Sequence, residues 1–535
     1  MKLPTQRTDR VSALLAALVV VLLASCNPAP KYVKPATPTP VAYKESAPQD
    51  FREGQGWKVA HPGDDKIRAK WWELYNDPQL NALEEQVPTG SQTLAAAEAN
   101  YRAARALVVS AHAALYPTVG TSPAFTNNRI SGTQGARVIG PNGSGGTSSQ
   151  APFNDYTLPL DVSYTVDFWH RIRNTIAANA FSAQASAADI ATSLLSLQSE
   201  LATDYFEVRA LDMQEAVLQD TLNNFRDSLH LTQVLFRFGI DSEEDVSQAQ
   251  TQLNTATAQA TDIGVARAQF EHAIATLLGR PPAQFSLPAG TFVPKPPQIP
   301  VAVPSTLLER RPDIAAAERQ IAAANAEIGV ARAAYYPNIS LSASAGFESS
   351  TAAQWFTWPS RFWALGPTLS QTIFDGGTRR AQNEQAQANY DAAVANYRQA
   401  TLTAFQAVED NLASLRVLSK EIGEQQSAIT SSAHFLDLAL TRYKLGVDSY
   451  LNVITAQTAV LTNRETLVQI QLRQMTASVA LILALGGGWD ESLPSMKDLL
   501  VKQRNWKPGG IPLPPVETGT APANPPVVQP STLKR

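Results

Sequence analysis

Few residues of this chain are spaced to bind a metal or to attack a substrate. The six histidines form no H-x-x-x-H pair and none lies beside the single cysteine, so no metal-ligand pattern is present. NGSGG around Ser144 lacks the G-x-S-x-G elbow of hydrolases, and the glycines at 486–488 precede no Lys-Ser/Thr of a phosphate loop. The sequence therefore predicts neither an enzyme nor a metal site, and a secreted hydrolase is a remote alternative.

The only cysteine has a defined covalent chemistry. Lys2, Arg7 and Arg10 precede the apolar run VSALLAALVVVLLA, which is too short to span a bilayer and is typical of a signal peptide. A short transmembrane anchor is the alternative. LASC, ending at Cys26, resembles the bacterial lipoprotein processing box, which implies that Cys26 is lipidated and becomes the mature N-terminus. Asn27 after it, rather than Asp, favours the outer membrane by the same resemblance.

The composition indicates a globular chain with proline-rich ends. It is 44% apolar and 17% charged, and its net charge of −4 includes no basic cluster for nucleic acid. The proline-rich segment after Cys26 predicts an extended tether without chemistry of its own, and the tail from Lys507 predicts disorder.

Three segments alternate like β-strands that are apolar on one side only. In YTLPLDVSYTV, from Tyr156 to Val166, the apolar residues share one parity, and NISLSASAGF from Asn338 and WALGPTLS from Trp363 show the same pattern. AHAALYPTV, ending at Val119, matches ARAAYYPNI, which ends at Ile339, so the first segment also has a partner strand. We therefore expect four strands in two β-hairpins, at about 117–167 and 337–374. The tryptophans near the second hairpin suit either a membrane interface or a buried core.

The chain reads as two copies of one unit. FRFGIDSEEDVSQAQTQL matches YKLGVDSYLNVITAQTAVL, with Gly239 equivalent to Gly446 and an offset of 446 − 239 = 207. Each copy has a helix, a hairpin, a very long helix, a sharp turn and a long helix. The predicted organisation is a signal peptide 1–25, a lipidated tether 26–65, a first repeat 66–295 with a helical hairpin at about 170–279, a second repeat 296–490 with one at about 378–486, and an equatorial segment with a disordered tail 491–535.

Two very long helices are the other main feature. No proline lies between His170 and Gly239, so roughly 69 residues can form one helix of about 100 Å. Apolar residues recur every seven positions from Val408 to Tyr443 and, with Glu215 interrupting, from Leu201 to Phe236. This spacing predicts coiled-coil packing. A periplasmic coiled-coil scaffold would explain the helices alone.

Strands and long helices together predict a pore. Strands with small polar residues opposite an apolar face fit a barrel with lipid outside and water inside, although a soluble β-layer is the alternative. Four strands cannot close a barrel, so several chains must share one, and the small polar side chains favour three chains over two. No later apolar run is expected to form a membrane helix.

The whole chain resembles the TolC-like outer-membrane efflux lipoprotein family of resistance-nodulation-division pumps. The resemblance rests on CNPAPKY, ERRPDIAAAERQ, ARAAYYPNISL, RYKLGVDSYLNV and LALGGGW. It implies a mainly α fold with membrane β: a homotrimer whose 12-stranded barrel continues into a 12-helix periplasmic tunnel. It also implies a periplasmic adaptor, an inner-membrane pump and outer-membrane lipid as partners.

The turns between the long helices should form the periplasmic end of the tunnel. Gly239 and Gly446 allow the left-handed backbone that ends a helix. Asp241-Ser242 and Asp448-Ser449 can cap the returning helices, and these turns are also the predicted adaptor contacts. A capped hairpin without a transport role is the simpler reading.

By resemblance, six positions near these turns form the periplasmic gate: Asp245, Arg442, Tyr443, Leu451, Asn452 and Thr455. The resemblance implies that links between the inner helix pair and its neighbour hold the mouth closed, and in such links Arg442 and Tyr443 can donate hydrogen bonds to the Asp245 carboxylate. Leu451 matches an apolar constriction. The family places carboxylates where this chain has Asn452 and Thr455, so an acidic ring is not expected there, although Glu243 and Glu244 offer negative charge nearby.

We therefore expect a passive outer-membrane channel of a tripartite efflux system, conducting small molecules from a periplasmic pump to the exterior. It should be anchored by the Cys26 lipid and extend into the periplasm. A protein-secretion duct is the second hypothesis within the channel class.

Overall fold

The computed structural model describes residues 27–37, 39–40, 43–45, 70–129, 138–139, 145–146, 152–292, 294–297, 299, 311–487, 489 and 493–501. The signal peptide, Cys26 and the C-terminal tail lie outside these ranges.

Nine helices and seven strands are defined in the described residues. The helices are α1 (Pro78–Glu84), α2 (Val87–Gly90), α3 (Gln92–Ala113), α4 (Arg171–Arg237), α5 (Glu243–Leu277), α6 (Pro312–Ala333), α7 (Thr378–Lys444), α8 (Tyr450–Ala484) and α9 (Met496–Val501). The strands are β1 (Thr118–Thr121), β2 (Ala124–Asn128), β3 (Val138–Ile139), β4 (Gly145–Gly146), β5 (Phe153–Val166), β6 (Asn338–Ser349) and β7 (Arg361–Ser370).

The long helices repeat with identical lengths. Helices α4 and α7 have 67 residues each, and α5 and α8 have 35 residues each. Their first residues differ by 378 − 171 = 207 and 450 − 243 = 207, the offset found in the sequence. A helix of 67 residues is about 100 Å long, as expected for both.

The long helices pack side by side along their length. Helix α4 contacts α3, α5, α6 and α8, and α7 contacts α6 and α8. The seven-residue positions Leu201, Val208 and Val408 are fully buried in the main core. Phe236 has the same seven-residue spacing but is not part of the buried core, because its side chain, near the end of α4, is 44% exposed. The coiled-coil spacing therefore describes the middle of the helices better than the end of α4.

Helix α8 corrects the expectation that no later segment could span a membrane. Its length and composition would allow it to span a membrane, because an 18-residue window within it has a mean hydropathy of 1.3. However, 61% of that window is buried, and residues such as Val468, Leu472 and Met475 belong to the main core. Helix α8 is apolar because it packs against α4 and α7.

The strands form an antiparallel sheet in the order β1-β5-β6-β7, and β2 continues the pairing of β1 along β5. Leu160 pairs with Ala345, which pairs with Trp363, so the apolar parities of the three strands share one face. Trp363 lies near the start of β7, which ends at Ser370. Within the described chain, β7 and the β1–β2 side have no further partner strand, so both edges of this sheet are open.

The opposite face of the sheet is polar. Ser344 Oγ donates a hydrogen bond to Asp161 Oδ1 at 2.7 Å, across the β5–β6 pair. Ser163 pairs with Ser342, and Thr165 with Ser340, on the same face. The alternation in the sequence is thus confirmed as two chemically distinct faces of one sheet.

One glycine on the polar face allows β5 and β6 to approach. A Cβ at Gly346 would lie 2.1 Å from the Leu158 carbonyl oxygen, whereas a Cβ at Gly366 would have nothing within 4 Å. We therefore expect Gly346→Ala to lower stability by about 1–3 kcal/mol through displacement of the strands. Gly366→Ala, the matched control, should stay within about 0.5 kcal/mol of the original chain. Thermal unfolding in detergent measures both; equal melting of the two variants would contradict the close packing.

Candidate periplasmic mouth

Two sharp turns, residues 238–242 and 445–449, connect the long helices, and we call them together the mouth. Gly239 has φ +75° and Gly446 has φ +69°, the left-handed region that a side chain disfavours. Ile240 N donates to Leu235 O at 3.0 Å, and Val447 N donates to Arg442 O at 3.0 Å. Each helix therefore ends in the same glycine motif, which confirms the conformation expected for the two glycines.

The first turn is closed by a capping box at the start of α5. Ser242 Oγ accepts a hydrogen bond from Asp245 N at 3.2 Å, and the Asp245 carboxylate accepts one from Ser242 N at 3.2 Å. Ser242 Oγ also donates to Asp245 Oδ2 at 2.7 Å. Asp245 is thus occupied within its own helix end, as is typical of acidic residues in a first turn.

The second turn uses different atoms. Ser449 makes no side-chain cap; instead, Asp448 Oδ1 accepts from Ser449 N at 3.0 Å and from Asn452 Nδ2 at 2.5 Å. Arg442 Nε donates to Asp448 Oδ2 at 3.1 Å. The hydrogen bond from Asn452, helped by the Ser449 amide and Arg442, lowers the pKa of Asp448. The two expected caps are therefore chemically unequal.

Tyr443 joins the two turns. Its hydroxyl donates to the Asp241 carboxylate, and Thr232 Oγ1 lies 3.0 Å from the same hydroxyl. Burial, followed by the Asp241 hydrogen bond, raises the pKa of Tyr443 well above its ordinary value. Within one chain, Tyr443 therefore bonds to Asp241, while the Asp245 carboxylate is engaged by Ser242. The expected link of Tyr443 to Asp245 in the assembled mouth stays a prediction.

A small apolar cluster supports this link. Tyr443 and Tyr450 pack with ring centroids 5.3 Å apart, and both side chains are buried beside Ala439 and Val453. Burial raises the pKa of Tyr450 to about 12. Since the cluster also includes Leu229 of α4, the two helical hairpins are packed together at the mouth.

The remaining expected gate residues lie on the surface of α8. Leu451 is 59% exposed, and Asn452 and Thr455 are also exposed. Thr455 Oγ1 donates to Leu451 O at 2.9 Å, so these two side chains are one helical turn apart. The structure therefore groups Leu451 and Thr455 on one side of the first turns of α8, without a carboxylate at either position.

Sequence reasoning missed the apolar side chains of the mouth. Phe238, Ile240, Leu445 and Val447 flank the two glycines and are all at least 63% exposed. Their position in the sequence could have identified them, because four large apolar residues stand in two turns, where polar residues are usual. No group of three or more metal-ligating side chains occurs among the residues that the structure describes.

Comparison with known proteins identifies the family. The profile described as "Outer membrane efflux protein" matches residues 85–280 and 303–487. The pyoverdine export outer membrane protein OpmQ of Pseudomonas aeruginosa is 32% identical over 85% of this chain and 94% of its own length. The solvent efflux pump outer membrane protein SrpC of Pseudomonas putida is 31% identical over 89% of this chain and 98% of its own length.

A solved structure gives the same result. The outer-membrane channel OprN superposes with a TM-score of 0.76 at 28% identity, covering 87% of this chain and all of OprN. The molecule is therefore a channel protein with a long helical body and a small sheet. The chain belongs to the outer membrane efflux protein family, and it is an efflux channel of the outer membrane that extends into the periplasm.

The Tyr443 hydroxyl gives the mouth a pH dependence. An ordinary tyrosine loses its proton near pH 10, and the raised pKa keeps Tyr443 protonated in the folded chain. The contribution of the Tyr443 hydroxyl to the free energy of unfolding is therefore complete below about pH 10. It is lost as the pH rises further, because at first only the unfolded state releases the proton. We expect Tyr443→Phe to cost about 1–2 kcal/mol at neutral pH. The difference between Tyr443→Phe and the original chain should shrink above pH 10.

Thermal melting at pH 7 and at pH 11 measures this difference. Because other tyrosines also lose their protons on unfolding at high pH, Tyr116→Phe, at a side chain that is 61% exposed, is the control. If Tyr443→Phe lowers the free energy of unfolding equally at both pH values, the hydrogen-bonded role of the hydroxyl is disproved.

Proposed function

We propose that three copies of the chain form one outer-membrane duct for small-molecule efflux. The observation that carries this proposal is the open, two-faced sheet: its apolar face suits lipid, its polar face suits water, and its edges are unpaired within the described chain. In a bilayer each of those edge groups needs a hydrogen-bond partner. Because β1 and β2 follow one another along β5 and count as one strand of a barrel, each chain contributes four strands. Three copies then supply 12 strands, enough to leave an opening.

The helices extend the same duct. Helices α4, α5, α7 and α8 form two hairpins per chain that lead away from the sheet, so three chains supply 12 helices around one axis. Their length of about 100 Å is sufficient for a periplasmic tunnel. The covalent lipid on Cys26 is part of this proposal as the membrane anchor.

The mouth is the proposed gate and the proposed adaptor contact. Three-fold symmetry places Leu451, Asn452 and Thr455 in rings, so modest side chains narrow the passage together. The Tyr443–Asp241 and Arg442–Asp448 bonds hold the turns within each chain, and Asp245 remains the candidate for contacts with a neighbouring chain. The exposed apolar residues at the two glycines suit docking of a periplasmic adaptor, which connects the duct to an inner-membrane pump of the resistance-nodulation-division class.

The names of the relatives indicate the class of cargo. OpmQ is named for pyoverdine export and SrpC for solvent efflux. Both are small molecules, and a smooth tunnel leaves their selection to the pump. Small-molecule efflux is therefore preferred to protein secretion for this chain.

Planar-bilayer conductance of the purified protein, with its mass determined in detergent, tests the duct and its gate. We expect a trimeric mass and low conductance for the original chain. Asp241→Ala and Tyr443→Phe should conduct more, because both remove the bond that joins the turns. Asp437→Ala, at an exposed residue six positions before Tyr443 on α7, serves as a control. A monomer without conductance would end the proposal, and unchanged current in both variants would remove the gate assignment.

The polar face of the sheet also predicts charge preference. Its charged residues are Asp155, Asp161 and Glu348, and none of the described residues of that face is Lys or Arg. A duct lined in this way attracts cations. Asp161→Asn should reduce the cation-to-anion permeability ratio about twofold, whereas the uncharged Ser342→Asn should not. Reversal potentials in a salt gradient measure the ratio; an anion preference in the original protein would contradict the inference.

A further inference from the structure

A cavity of about 620 Å³ lies where the sheet meets the long helices, and we call it the junction cavity. Polar side chains from both hairpins line it: Thr118, Ser163, Thr165, Asn338 and Ser370. They belong to the polar face of the sheet, because Thr118 pairs with Ser163 and Asn338 pairs with Ser370. The volume is within the range of about 300–1,000 Å³ that small-molecule sites occupy.

One wall of the junction cavity is aromatic. Trp169 stacks on Tyr336 with ring centroids 4.5 Å apart, and Trp169 Nε1 donates a hydrogen bond to Pro337 O at 2.9 Å. These contacts fix the wall, yet Tyr336 remains 44% exposed, and Tyr116, which also lines the cavity, is 61% exposed. The wall therefore offers a rigid apolar surface on which a further ring can pack.

Two arginines also line the junction cavity. Arg171 is the first residue of α4, and Arg379 is the second residue of α7. Arg379 Nε donates to Asp375 Oδ2 at 2.6 Å, so the charge of Arg379 is largely compensated. Arg171 is exposed and forms no ion pair with any residue that the structure describes. Its guanidinium is therefore the group at this cavity that can pair with an anion.

The backbone at the start of the two helices is already occupied. Asp167 accepts hydrogen bonds from Ile172 N at 2.9 Å and from Arg173 N at 3.0 Å, and Asp375 caps α7 in the same way. The first-turn N–H groups that most often bind anions thus have carboxylate partners. Recognition of an anion in this cavity must come from side chains, and above all from Arg171.

The internal repeat shows that the connection between strand and helix does not require these side chains. At the offset of 207, Trp169 is equivalent to Gly376 and Arg171 is equivalent to Thr378. The second repeat has neither a ring nor a charge at these positions, although α7 begins at the residue equivalent to the start of α4. The aromatic wall and the free guanidinium therefore need an explanation other than the fold.

We propose that the junction cavity binds a small aromatic anion, a carboxylate or a sulfonate, with its charged group at Arg171 and its ring against Tyr336. A guanidinium pairs with two oxygens of such a group at once. The hydroxyls of Ser163 and Thr165 can donate hydrogen bonds to the oxygen that remains. A neutral aromatic molecule lacks the first interaction, and an inorganic anion lacks contact with the wall.

The proposed site agrees with the cation preference expected for the sheet. Its acidic residues Asp155, Asp161 and Glu348 lie further along the strands from the helices than Ser163 and Thr165. The cation-attracting face and the anion site are thus at different heights. That the ligand is cargo rests on the proposed duct, in which the polar face of the sheet borders the passage. In that duct the cavity holds aromatic anions where the barrel joins the tunnel.

Equilibrium dialysis of the full-length protein in detergent against 2-naphthalenesulfonate tests the site, with protein-free micelles as the blank. We expect saturable binding of about one probe per chain. Naphthalene-2-sulfonamide, the uncharged analogue, should bind about tenfold more weakly because it forms no charge-assisted hydrogen bond. Inorganic sulfate at the same concentration should displace little of the probe because it lacks the ring.

Two arginines in the first turn of α4 give a matched pair of variants. Arg171→Gln should weaken binding of the sulfonate about tenfold. Arg173→Gln, at an exposed residue that does not line the cavity, should change it by less than about twofold. Thr175→Trp fills the cavity from the next turn and should abolish binding of both aromatic probes without a change of charge. Circular dichroism verifies that the helices are intact; if Thr175→Trp fails to fold, the arginine pair decides.

Four outcomes would overturn the proposal. Equal affinity for the charged and the uncharged probe, or equal weakening by the two arginine variants, would remove the anion site. Full displacement by equimolar sulfate would remove the aromatic part. Displacement by phosphatidylglycerol added to the micelles would assign the cavity to a lipid headgroup instead. None of these measurements depends on conductance, so the site can fail while the duct stands, and the reverse.

Discussion

The constraint on which the structure depends is that strand edges cannot remain unpaired in lipid. The sheet of this chain is too narrow to close, and its β7 side and its β1–β2 side carry backbone groups without partners in the described chain. In water such edges are covered or charged, but in a bilayer only further strands can satisfy them. In the proposed duct, the need for neighbouring chains thus follows from hydrogen bonding in the sheet, and the helices inherit the symmetry that the sheet imposes.

Duplication gives the helices equal lengths without giving them equal chemistry. The capping box of Ser242 in one turn is replaced by the carboxylate of Asp448 in the other. Likewise the buried Arg209 finds its carboxylate within its own helix, whereas the exposed Arg416 pairs with Glu45. Equivalent backbone positions can therefore be kept while their polar groups are paired by different parts of the chain.

The mouth combines firm and weak elements. Its glycine turns are fixed by backbone hydrogen bonds and its Tyr443–Tyr450 cluster by burial. The Arg442–Asp448 contact is exposed and the Tyr443–Asp241 contact is only partly buried, so both can break without unfolding the helices. A duct that opens at this end would need that combination: a rigid body with a small number of exchangeable polar contacts.

The sequence by itself determined the periodic features: the two faces of the sheet, the two 67-residue helices, the repeat offset and the left-handed glycines. Each follows from local spacing or from the conformational freedom of one residue type, and the motifs that carry the family resemblance are local as well. Only the tertiary structure decided the partners of polar groups within the chain, such as Asp241 for Tyr443 and Glu45 for Arg416. Periodicity shows which face of an element is buried, but a hydrogen bond depends on the relative height of residues hundreds of positions apart, and that height is set by packing.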